Sequence, residues 1–81
     1  MKEVFIHTEG NLRGKPRKVT RCIILEEQTV KAEGLAICNP KDQYSRKRGN
    51  LIARGRACKA LETQNPYPLG IIDGLEVSMH E

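Results

Sequence analysis

Aromatic residues are nearly missing from this 81-residue chain: there is no Trp, and Phe5, Tyr44 and Tyr67 make up the whole 4%. A core must therefore be built from Ile, Leu, Val, Ala and Cys. A single domain over residues 1–81 is the expectation, with a thin stability margin because so short a chain buries only about 60% of its unfolded surface. No apolar run approaches the ~20 residues that cross a bilayer, and the charges at Lys2 and Glu3 do not suit a signal peptide. Three cysteines, Cys22, Cys38 and Cys58, form no CxxC spacing. They suggest neither a disulfide framework nor a zinc site, but three small core residues in a reducing, cytoplasmic setting. Catalytic signatures are lacking too: there is no GxSxG, no GxxxxGK[ST], no HExxH and no paired-acid motif, and His7 and His80 stand far apart. The expectation is a non-enzyme that needs no cofactor and no metal.

Basic charge is plentiful, and its placement matters more than the net +4. Arg13, Lys15, Arg17, Lys18 and Arg21 form one cluster. Lys41, Arg46, Lys47, Arg48, Arg54, Arg56 and Lys59 form a second, and no Lys or Arg follows Ala60. Such a surface suits phosphate-bearing ligands, and the four arginines of the second cluster suit planar oxyanions.

The pattern along the chain predicts an α+β fold of order β-β-β-α-β(β): a small antiparallel sheet with a β-hairpin core, packed on one long Arg-rich helix. Lys2–His7 reads as a strand and Thr8–Pro16, with Gly10, Gly14 and Pro16, as a loop. Arg17–Leu25 and Thr29–Cys38 read as a hairpin around Glu26-Glu27-Gln28, with Gly34 marking a bulge or a close backbone approach. Asn39 suits a helix N-cap, Pro40 the first helical position and Asp42 the first turn. The helix is expected from Pro40 to about Thr63, ended by Asn65-Pro66-Tyr67-Pro68. Leu69–Ile72 and Leu75–Val77 are short candidate strands around Asp73-Gly74.

On a helical wheel Tyr44, Leu51, Cys58 and Glu62 fall together, flanked by Ile52 and Leu61. That stripe is expected to pack on the hairpin. Opposite lies a ridge of small residues, Gly49, Ala53, Ala57 and Ala60, bordered by Arg46 and Arg56. Two mid-helix glycines, Gly49 and Gly55, each cost about 1 kcal/mol relative to Ala. Close packing of a second subunit along the ridge, through Gly49, Ala53 and Ala57, would compensate, and so would a flat ligand held by the arginines. Candidate ligand contacts are Arg46, Asn50, Arg54 and Arg56 for phosphate or ribose, and Tyr44 or Tyr67 for stacking on a base. For Tyr44 core packing is the competing role.

The stretch from Gly34 to Lys59, GLAICNPKDQYSRKRGNLIARGRACK, resembles small phage and mobile-element proteins of Gram-positive bacteria. These share a hairpin followed by a pattern like C-x-P-K-D-x-[FY]-x-R-K-x-G-R-x-I-A-x-G-R-A. The pattern is also similar to the phage anti-Thoeris sequestering proteins, or sponges. That resemblance implies an anti-defence role in a bacterial host cell: sequestration of a cyclic ADP-ribose isomer or cyclic oligonucleotide by a homo-oligomer, with Arg46, Arg54 and Arg56 at motif positions for phosphate. Asn50 stands where the pattern usually has Arg, which removes one phosphate contact. A nucleic-acid-binding module and an inhibitor of an acidic host protein are the competing readings.

Overall fold

Two tight hairpins build the sheet. In the chain's computed structural model, which describes residues 1–38, 45–65, 67–70 and 74–77, β1 (Lys2–Leu12) pairs antiparallel with β2 (Lys15–Glu26), and β2 with β3 (Thr29–Ile37). The helix α1 (Arg46–Glu62) follows, and β4 (Leu75–Val77) adds to the outer edge of β1, giving the order β3-β2-β1-β4. The expected α+β class and element order hold among the described residues.

Three boundaries differ from expectation, each for a local reason. The loop expected at Thr8–Pro16 is instead the end of one strand, a two-residue turn and the start of the next, paired out to Leu12↔Lys15. Arg13 (φ 52°) and Gly14 (φ 83°) both take positive φ, as the turn that matches strand twist requires. Pro16 is tolerated because β3 pairs with β2 only from Val19 onward, so the missing N–H falls at a sheet edge. The helix starts at Arg46 rather than Pro40: Ser45 is extended (φ −137°) and its hydroxyl accepts from Arg48 N at 3.3 Å, an N-cap. Asn39, Pro40, Asp42 and Tyr44 lie outside the described residues. The helix does end at the expected place, but hydrogen bonds explain it: Asn65 N donates to Ala60 O (2.8 Å) and Gln64 N to Leu61 O (3.2 Å), with Gln64 left-handed at φ 56°. Leu69 forms one parallel bridge to Gly34, and 71–73 lie outside the described residues.

These edge pairings curl the sheet. Leu69 sits beside Gly34 on β3 and Leu75 beside Leu12 on β1. On a flat sheet those points would lie roughly 31 Å apart, whereas the six peptide steps between them span at most about 21 Å. The two edges must approach each other.

Strand register then sorts the sheet's two faces. Phe5, His7, Thr20, Cys22, Ile24, Ala32, Gly34 and Ala36 share the face that α1 covers. The core there joins Cys22, Ile24, Ala32 and Ala36 to Ala53, Ala57 and Ala60 of the helix. The opposite face buries Val19, Leu35 and the Arg21–Glu33 ion pair. Arg21 is therefore a structural residue and not part of an exposed basic cluster.

The packing of α1 reverses the expected orientation. The small ridge faces the sheet, with Ala53, Ala57 and Ala60 fully buried, while Leu51 is 62% exposed and Cys58 is exposed. Gly34 is the cause. A Cβ there would collide with the backbone of Ala53 and Ala57, so the helix lies directly on the strand and only small side chains fit between them. Of the two roles open to Gly34, close approach is the one observed; the register shift lies nearer the turn, at Ile24/Leu25.

Candidate functional site

Four cations of the first basic cluster and three of the second, distant in sequence, lie at one end of the fold. Gly49, in the first turns of α1, lies against Thr20, while Ala53 and Ala57 lie against Gly34. Thr20 pairs with Ala36 and Cys22 with Gly34, so α1 runs in the same direction as β2. Its N-terminus thus lies at the same end as the Arg13-Gly14 turn. Arg13, Lys15, Arg17 and Lys18 come there from the first hairpin, and Arg46, Lys47 and Arg48 from the helix. Among the described residues the carboxylates at this end are Glu9, paired with Lys18 at 2.7 Å, and Glu76, which lies opposite Asn11. Among the described residues, seven cations against two carboxylates give a balance of about +5 at this end. The Lys18 ammonium holds the exposed Glu9 carboxyl below its ordinary range, first through the hydrogen bond and then through charge.

The helix terminus adds to this field. Its first turn holds three exposed cations and no acidic residue, although the N-terminal end of a helix dipole favours anions. That arrangement opposes helix formation unless an anion is present. The cations also spread out: Lys15 and Thr20 are five residues apart on an extended strand, roughly 17 Å. Lys18 shares the face that α1 covers, whereas Lys15 and Arg17 fall on the opposite face, so an elongated positive end results that spans both faces of the hairpin.

The sequence-predicted site residues do not converge. Arg46 belongs to the basic end and is exposed. Asn50 is tied to His7, whose Nε2 donates to Asn50 Oδ1 at 2.8 Å. Arg54 pairs with Glu3 over β1 (Nε–Oε2 2.9 Å). Arg56, on the opposite flank of the helix, donates to Leu35 O over β3. Tyr67 is 75% exposed but lies past the helix C-terminus, near the far end of the molecule; Tyr44 lies outside the described residues. Gly49, Ala53 and Ala57 pack under the helix and are not a free ridge. Sequence reasoning missed the hairpin cations as partners of the helix terminus. The signal was there in Arg13-Gly14, a turn with a glycine in a left-handed position, but Gly10 and Pro16 nearby pointed to a longer loop.

A concavity lies at the other end, between the β2–β3 turn and the end of α1. It is lined by Val30, Ala32, Leu61 and Pro68 together with Glu26, Lys31 and Glu33. Its charges are mixed, and among the described residues no buried side-chain polar atom lacks a partner.

No known protein family, no curated protein and no solved structure matches this chain significantly. The site has to be read from its own chemistry. Among the described residues there is no group of three or more His, Cys, Asp or Glu side chains suited to a metal, and no helix is long and apolar enough to cross a membrane.

Proposed function

We propose that this chain binds a phosphate-rich ligand without transforming it, through the basic end formed by the first turn of α1 and the first hairpin. One observation carries the reading: the three exposed cations of a helix first turn that has no carboxylate of its own lie at the same end of the fold as Arg13, Lys15, Arg17 and Lys18 of the first hairpin. Backbone N–H groups and the helix dipole there favour an anion, and arginines supply paired donors to phosphate oxygens.

The shape of the surface favours an extended polyanion, such as a nucleic-acid backbone, whose charges repeat every ~3.4 Å per strand. The mid-helix ridge is taken up by packing on the sheet and does not bear on the choice of ligand. The second reading is the one the motif resemblance implies: sequestration of a cyclic nucleotide immune signal in a bacterial cytoplasm, as a phage anti-defence protein. Arg46, Arg54 and Arg56 stand at its motif positions, but Arg54 and Arg56 lie on opposite flanks, so a compact ligand would need contacts from a second chain.

Anisotropy titrations with a labelled oligonucleotide, with cyclic ADP-ribose isomers and cyclic dinucleotides as competitors, separate the two. For the extended ligand, log K falls linearly with log salt. Lys15→Ala and Arg46→Ala each weaken binding by degrees and each reduce the slope by about one. For sequestration, one cyclic nucleotide binds stoichiometrically and Arg46→Ala abolishes it. If neither class binds, the proposal fails.

A further inference from the structure

We infer that two copies of this chain pair through the outward face of α1, as antiparallel helices crossing at Gly55. This inference does not depend on the ligand reading. It concerns the face of the helix turned away from the sheet. Leu51 there is 62% exposed, Ile52 38%, Cys58 is exposed, and Gly55 has nothing within 4 Å of where a Cβ would stand. Leu51, Gly55, Cys58 and Glu62 follow one another at helical spacing, so they form a continuous strip. A large apolar side chain beside an open glycine is costly in water twice over, in exposed apolar area and in helix propensity. Burial under a second helix relieves the first and gives a use to the second, because a glycine at a crossing lets two axes approach to the short end of their usual 8–10 Å separation.

Charge selects the partner and its direction. Lys47 and Arg48 begin the strip and Glu62 ends it. Arg48 and Glu62 are each seven residues from Gly55, about 10.5 Å along the axis. A two-fold axis at Gly55 therefore brings Glu62 of each copy beside Lys47 and Arg48 of the other, with Leu51 near Cys58. A parallel pair would stack like charges at both ends. The strip is thus complementary to itself only when antiparallel, which is what an isologous dimer requires. The contact involves a single helix per chain, below the size of a standard stable interface, so the dimer is weak and concentration-dependent. It engages Lys47 and Arg48 of each basic end and leaves the other five cations outside the pairing, one set at each extremity of the pair.

Sedimentation equilibrium of the full chain, under reducing conditions from micromolar to millimolar, tests this without any ligand. The expected result is a mass rising from 9.1 kDa toward twice that value. Leu51→Asp, at an exposed site that leaves the fold intact, weakens association by roughly tenfold or more. Arg48→Glu also weakens it, and adding Glu62→Arg restores it. Gly55→Cys in a Cys58→Ser chain forms a disulfide dimer on oxidation, whereas Lys31→Cys in the same chain does not. A monomer at every concentration overturns the inference. So does association untouched by Leu51→Asp, or a charge swap that fails to restore it.

Discussion

The two faces of α1 look as if they had been exchanged. The face against the sheet carries Gly49, Ala53, Ala57 and Ala60; the face toward solvent carries Leu51, Ile52 and Cys58. On hydrophobicity alone the larger apolar residues belong inside. What decides the orientation is distance. Gly34 lets β3 touch the helix backbone, and at that separation a leucine has no room. The inner face gains close van der Waals contact over many atoms instead of a few large side chains. Size complementarity across the seam outweighs the apolar count of the stripe.

Filling the seam is the most damaging way to test this comparison. In Gly34→Leu the new side chain starts inside the backbone of Ala53 and Ala57, and α1 cannot stay docked. We expect a loss of about 3 kcal/mol or more in urea denaturation, a large part of the stability of a domain this size. Gly55→Leu, on the open face, costs nothing at low protein concentration. Equal losses at the two sites would mean that the seam is not where the helix is held.

The cysteines give the same contrast in chemical form. Cys22 is fully buried under α1, and its thiol is pushed up to about 11, first by that burial and then by the nearby Glu3 charge. A thiol in the unfolded chain ionises near 9.0. Above pH 9 the unfolded chain therefore releases a proton that the folded chain keeps, and stability falls as pH rises from about 9 to about 11. The loss is on the order of 1–3 kcal/mol. It appears as the difference in unfolding free energy between the wild type and Cys22→Ala across that window. In the folded protein at neutral pH, a thiol reagent should modify Cys58 and leave Cys22 untouched. Rapid labelling of Cys22 would mean that α1 leaves the sheet readily.

Much of the fold could be read from the sequence, because strand alternation and turn chemistry are local. The β2–β3 hairpin, the helix end near Thr63 and the short strand at Leu75–Val77 follow from residues that act on their neighbours. The orientation of α1 does not. It depends on Gly34, which lies well before the helix in sequence, and a wheel drawn on the helix alone has no access to it. The expected role of all three cysteines as core residues fails at Cys58 for the same reason. The site was legible only in part. The two basic clusters were visible as charge, but the placement of their members at one end depends on the direction in which α1 crosses the sheet. The arginines grouped by motif position are separated by the helical turn, which sends Arg54 toward Glu3 and Arg56 toward Leu35.

Gly49 sits at the edge of the seam and should show an intermediate effect. A Cβ there meets the Thr20 hydroxyl first and Thr20 Cβ at 3.3 Å. Both obstacles belong to a side chain and not to backbone, so partial relief by rotation is available. Gly49→Ala also gains helix propensity, close to 1 kcal/mol. The two terms nearly cancel, and we expect a net loss of about 1 kcal/mol or less. Thr20→Ala beneath it removes the clash, so a double-mutant cycle should show favourable coupling between the two substitutions. Additive effects would place Gly49 outside the seam.

The smallest change makes the sharpest distinction. Gly55 has open space around it and an ordinary helical backbone, so Gly55→Ala should stabilise the isolated fold by about 0.5–1 kcal/mol through propensity alone. The same methyl group would stand at the centre of the proposed helix pair and hold the two axes apart. One substitution should therefore raise the unfolding free energy measured at low concentration and weaken association measured at high concentration. A gain in both would show that the glycine has no part in pairing. A loss of stability at low concentration would show that the outward face of α1 is already covered within a single chain.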